Sequence, residues 1–131
     1  MTQLLPRTQA ERAPAVRPAS AARTKAADAA RCRLVMQLAA HRFEVPRATL
    51  LGRGRGSRRA SVARQVAIYL AHVALSVPLD SAARQFKRDR STVAFACRQV
   101  EDRRDEPAFD VAVADLELAL KVLLELAAEA A

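Results

Sequence analysis

The sequence predicts an all-α protein, a small helical bundle that contains a helix-turn-helix. Three observations predict it. Apolar residues recur at helical spacing over five stretches, punctuated by Pro46, a glycine-rich loop at 52–56, Pro78 and Pro107. Two of those stretches, within residues 76–101, are short and are joined by a tight charged turn, the pattern of a helix-turn-helix. The length of 131 residues suits one small domain with tails.

Residues 1–27 are rich in Ala, Pro, Arg and Thr, and Pro6, Pro14 and Pro18 interrupt any helix, so a disordered basic arm is expected. Such an arm either tethers phosphates or is a leader without a partner. A helix is expected over 27–43, with Leu34, Val35, Leu38, Ala39 and Arg42 marking its stripe. It breaks before Pro46, because the residue preceding a proline avoids the α region. One short turn of helix fits 47–51. The loop that follows carries Gly52, Arg53, Gly54, Arg55, Gly56, Ser57, Arg58 and Arg59. Its glycines lack both the preceding strand and the spacing of a dinucleotide fingerprint, and no Gly-Lys-Ser/Thr of a P-loop occurs. Four arginines on such a loop suit phosphates or a narrow minor groove. A long helix over 60–75 places Val62, Val66, Tyr69, Leu70 and Val73 on one face.

In the helix-turn-helix, Leu79, Ala82, Ala83 and Phe86 form the stripe of the first helix. Lys87, Arg88 and Asp89 form the turn, three charges that neither helix could bury. Asp89 is placed to cap the second helix through the backbone N–H of Ser91 or Thr92. That helix is expected to bury Val93, Ala96, Cys97 and Val100, leaving Arg90, Ser91, Thr92 and Arg98 outward. A last helix over 108–128 has Val113, Leu116, Leu120, Leu123, Leu124 and Ala127 apolar, with its carboxylates expected on a solvated face.

Charge is divided sharply. The first hundred residues carry 19 Lys and Arg against 5 Asp and Glu, net +14, and the last thirty-one carry 3 against 9, net −6. A basic body points to a polyanion, most often nucleic acid. Cys32 and Cys97 sit in helical stripes and read as buried small hydrophobes in a reducing cytosol. With His41 and His72 they lack zinc-ligand spacing, so no metal is expected. No nucleophile, base and acid come together, so no enzyme activity and no cofactor are expected. No apolar run approaches the roughly 20 residues of a membrane span.

The residues 87–100, Lys-Arg-Asp-Arg-Ser-Thr-Val-Ala-Phe-Ala-Cys-Arg-Gln-Val, resemble the signature of the C-terminal DNA-binding domain of the bacterial replication initiator DnaA. That family carries a Gly-Arg-Asp-His-Ser/Thr-Thr-Val turn and ends its second helix in Ala-Cys-Arg. Upstream, Ala-Arg-Gln-Val-Ala-Ile-Tyr-Leu-Ala at 63–71 is similar to the family's Ala-Arg-Gln-x-Ala-Met-Tyr-Leu-Ala helix. A helix, a Phe-x-Val turn and the Leu50–Leu51 pair before the basic loop fit the start of the domain, and Glu-Pro-Ala-Phe at 106–109 resembles the start of its last helix. The resemblance covers about 31–121 and implies a DnaA-like domain over 28–121, followed by an extension of the last helix at 122–131.

The resemblance implies major-groove reading by Asp89, Arg90, Ser91 and Thr92. Thr92 can offer a methyl to thymine, and Asp89 can accept from cytosine N4. Lys87, Arg88, Arg64 and Gln65 are expected at the DNA backbone, and Arg53, Arg55, Arg58 and Arg59 at the backbone or minor groove. Two positions depart from the family. Arg90 replaces its histidine and prefers guanine, and its minor-groove arginine falls at or near Gly56, flanked by Arg55 and Arg58. The expected partner is double-stranded DNA at DnaA-box-like sites, bound by a monomer in the bacterial cytoplasm at the nucleoid, to modulate replication initiation or transcription without ATPase activity. The other reading is an interaction module that acts on DnaA or its Hda-type inactivator, through the acidic, Leu-rich last helix.

Overall fold

The computed structural model describes residues 24–52 and 56–130. Five α-helices make up the architecture: α1 (Lys25–Arg42), α2 (Arg58–Tyr69), α3 (Leu79–Phe86), α4 (Arg90–Arg103) and α5 (Pro107–Ala130). A 3₁₀ turn, Arg47–Leu50, lies between α1 and α2, and a π-turn, Leu70–Ala74, extends α2. No strand occurs among the described residues.

The expected arm lies outside the described residues except for its last few, and there the chain is already helical. Thr24 has extended backbone, and its Oγ1 accepts from the Ala27 N–H at 2.9 Å, so α1 starts at Lys25. The buried stripe of α1 is Cys32, Val35, Met36, Ala39 and Ala40, with Leu34 and Leu38 only half-buried and Arg42 exposed. The expected stripe is therefore rotated off the true one, which keeps Val35 and Ala39 and adds Cys32, Met36 and Ala40. Ser57 caps α2, accepting from the Ala60 N–H at 3.0 Å.

α2 is the central element and packs against both α1 and α4. Ala63, Val66, Ala67, Ile68 and Tyr69 are buried, as are Leu70 and Ala71 just beyond it, so from Val66 to Ala71 the chain is enclosed on every side. The single helix expected over 60–75 is interrupted. From Leu70 the backbone widens, with Leu75 N–H bonded to Leu70 O at 2.9 Å and Val77 N–H to Ala71 O at 2.9 Å. His72 Nδ1 donates to Val77 O at 2.7 Å and holds that end in place.

Three helical segments end on a non-glycine residue in the left-handed region: Glu44 after α1, Ser76 after the π-turn and Lys87 after α3. At each end a following N–H reaches back to satisfy a terminal carbonyl, as Val45 N–H does to Ala40 O and Arg88 N–H to Ala83 O, both at 3.0 Å. α3 lies across α4 and also touches α1, and α5 returns against α1.

The last helix holds a surprise in charge. Arg104, fully buried just after α4, pairs through Nε with Asp110 at 2.5 Å and through Nη2 with Glu117 at 2.9 Å, and its Nη1 donates to Tyr69 Oη at 3.1 Å. Tyr69 in turn donates to Glu101 at 2.7 Å. Burial opposes charge on Arg104, but the hydrogen bonds to Glu117 and Asp110 outweigh it and hold its proton more tightly than usual. Asp110 and Glu117 thus belong to the interior, correcting the solvated face expected for the α5 carboxylates. Phe109, Val113, Leu116 and Leu120 complete the inner face of α5. After Leu120 only Leu124 packs against the core, while Val122, Leu123 and Leu126 are exposed.

Candidate nucleic-acid interface

α4 is held from behind. Val93, Ala96, Cys97 and Val100 are buried, as the spacing predicts, and α3 supplies Phe86 and Ala82, both fully buried. The outer face then carries Ser91, Thr92, Phe95, Arg98 and Gln99, all exposed. Asp89, Arg90, Ser91 and Thr92 come together at the exposed start of this helix. Asp89 occupies the cap position with extended backbone, but its carboxylate makes no capping hydrogen bond. This corrects the cap expected from sequence and leaves the carboxylate directed outward.

Beside that helix end, Arg84, Lys87, Arg88 and Arg90 line one open hollow together with Asp89 and Thr92. Arg84 was not singled out in the sequence, although the signal was there. The α3 stripe leaves Asp80, Arg84 and Lys87, spaced four and three apart, on the opposite face. Phe95 was missed as well, an aromatic 47% exposed in the middle of the outer face of α4. A ring there suits apolar contact with a thymine methyl.

The predicted backbone-gripping residues divide into two groups. Arg64 turns inward, its Nε donating to Leu50 O at 2.8 Å and its Nη2 to Thr49 O at 3.1 Å. Burial and the nearby Arg88 charge lower its proton affinity. Arg88 donates through Nη2 to Gly52 O at 2.6 Å and through Nη1 to Lys87 O at 3.2 Å. These two arginines therefore brace the start of the basic loop against α2 and the helix-turn-helix. Lys87, Arg58 and Arg59 are exposed, and Gln65 is half-buried beside Arg64. Arg58 and Arg59 open α2, where the positive end of the helix dipole disfavours cations, an arrangement that an incoming phosphate would relieve. Arg53 and Arg55 lie outside the described residues. Gly56 has φ of +56°, a conformation that disfavours an arginine side chain at that position.

Among the described residues no group of three or more His, Cys, Asp or Glu is placed to hold a metal ion. Both thiols are buried, and burial pushes Cys32 up to about 12 and Cys97 up to about 11. Neither is poised as a thiolate. No helix among the described residues is long and apolar enough to cross a membrane.

A short helix, a tight left-handed turn and a second helix presenting a polar, cationic end define a helix-turn-helix DNA-binding domain. Its family is shown directly: the model of the bacterial DnaA protein helix-turn-helix matches residues 32–100, and the chain belongs to that family. No curated protein matches the chain. The family match ends at Val100, so α5, Arg104 and its two carboxylate partners lie beyond it, although the resemblance read from the sequence extends to about residue 121.

Proposed function

We propose that the chain binds double-stranded DNA selectively at DnaA-box-like sites and modulates chromosomal replication initiation or transcription, without hydrolysing ATP. The observation that carries this reading is the start of α4. Arg90, Ser91 and Thr92 are exposed beside a hollow lined by four cations, while the back of the same helix is locked in the core. Base-reading groups thus sit on a rigid element with phosphate-binding charge next to them. Lys87, Arg84, Arg58 and Arg59 take the backbone contacts. Arg64 and Arg88 support the loop, and Arg53 and Arg55 are the candidates to reach the minor groove. The protein acts as a monomer at the nucleoid.

A second reading, action on DnaA or an Hda-type regulator, draws on the outer face of α5. There Leu118, Val122 and Leu126 are exposed near Glu125 and Glu129. Thr92→Ala combined with Arg90→Ala separates the two, abolishing function under the first and sparing it under the second.

The test is fluorescence anisotropy on a DnaA-box duplex and a scrambled duplex near physiological salt. A preference of about 2 kcal/mol or more for the box, lost in Thr92→Ala, is the expected result. Equal binding to both duplexes with a steep salt dependence refutes sequence-selective reading.

A further inference from the structure

Asp80 stands out on the cationic face of the helix-turn-helix. It lies in the first turn of α3, in line with Arg84 and Lys87, and its Oδ1 sits 2.8 Å from Nε of Arg90 at the start of α4. The two side chains are 63% and 66% exposed, so the pair adds little to stability. A carboxylate on this face also repels phosphates. What the pair supplies is direction. An arginine side chain has many rotamers, and ordering it on binding DNA is costly. Pairing through Nε fixes the guanidinium plane and leaves Nη1 and Nη2, with their N–H groups, for bidentate contact with guanine O6 and N7.

We infer that Asp80 is a positioning residue that aims Arg90 at a guanine beneath the first turn of α4, and so helps set the sequence preference. This rests on the DNA-binding reading above. It has a two-sided consequence. Removing the carboxylate strengthens general attraction to DNA while freeing Arg90 to settle on a phosphate, which weakens discrimination.

The experiment uses the full chain. The wild type first selects its site from a randomised duplex library. Anisotropy near physiological salt then compares the selected duplex, the same duplex with the guanine replaced, and a scrambled duplex. The wild type is expected to prefer the guanine duplex by about tenfold or more. Asp80→Asn is expected to reduce that preference to about threefold or less while tightening binding to the scrambled duplex. In an Arg90→Ala background, Asp80→Asn is expected to leave the base preference unchanged, because the residue acts through Arg90. Unchanged melting temperatures exclude a purely structural effect.

If Asp80→Asn keeps the full guanine preference, or shifts base preference equally without Arg90, the inference is overturned. So is it if the selected site has no guanine under α4. If the wild type selects no sequence at all, the DNA-reading proposal itself fails and the inference falls with it.

Discussion

Replacing Arg104 with alanine should remove a large share of the domain's stability. The Arg104 side chain is fully buried, and its two carboxylate partners, Asp110 and Glu117, are only 10% and 11% exposed. Removing the cation leaves two carboxylates in the interior without it, and Tyr69 Oη loses a donor. Breaking a buried ion pair in this way costs about 3–5 kcal/mol. Small domains are stable by about 5–15 kcal/mol, so the variant loses a third or more of its margin in most of that range. Urea titration followed by circular dichroism measures it. With an m-value of about 1–3 kcal/mol/M, the midpoint should fall by about 2 M. Neutralising the whole group, with Arg104→Met, Asp110→Asn and Glu117→Gln together, should recover at least half of the loss, because no buried charge is then left unmatched. A loss below about 1 kcal/mol in Arg104→Ala would refute the reasoning, since only a hydrated, exposed pair is worth so little.

Two further outcomes follow from backbone geometry and from buried thiols. Lys87 sits at φ 56° and ψ 46° at the end of α3, so Lys87→Gly should raise stability by about 0.5–1 kcal/mol while weakening DNA binding through the lost charge; a drop in the urea midpoint would contradict this. Cys32 and Cys97, at about 12 and 11 against an ordinary 9.0, hold their protons more tightly in the folded chain. Their contribution is whole below about pH 9 and is lost as pH rises through the folded values. Stability should therefore fall between about pH 9 and 12, by up to about 1.4 kcal/mol per pH unit for each thiol. Alkaline melting curves should show a shallower decline in Cys32→Ala than in the wild type.

The sequence and the structure agree best where burial follows local periodicity. Val93, Ala96, Cys97 and Val100 lie at helical spacing, and all four are buried, because one helix face is all that spacing needs to specify. The turn at 87–89 was legible for the same reason: three charges between two stripes mark a break, although Arg88 is half-buried and reaches back to Gly52 O. What escaped were pairings set by tertiary approach. Arg104 meets Tyr69, 35 residues earlier, and Glu117, 13 residues later, and no local pattern marks a charge as interior. Arg64 and Arg88 read as phosphate ligands because their charge is visible in the sequence, whereas the carbonyls of Thr49, Leu50 and Gly52 that engage them are not. Asp89 was a fair cap by residue type and position, but the side-chain rotamer decides whether the hydrogen bond forms.

The π-turn at Leu70–Ala74 stores an angle as a residue count. An α-helix advances by about 100° per residue, and a π-turn holds one residue more in the same turn. Deleting one residue there would let the segment tighten into ordinary helix and leave everything beyond it facing nearly the same way, whereas deleting one elsewhere in α2 would swing it by about 100° around the helix axis. In the second case Pro78 and α3 would travel with the swing, taking Asp80 away from Arg90. The widened turn thus absorbs one extra residue without re-aiming the reading surface. A family member one residue shorter in this turn, with ordinary helix in its place, would therefore present its helix-turn-helix in the same direction.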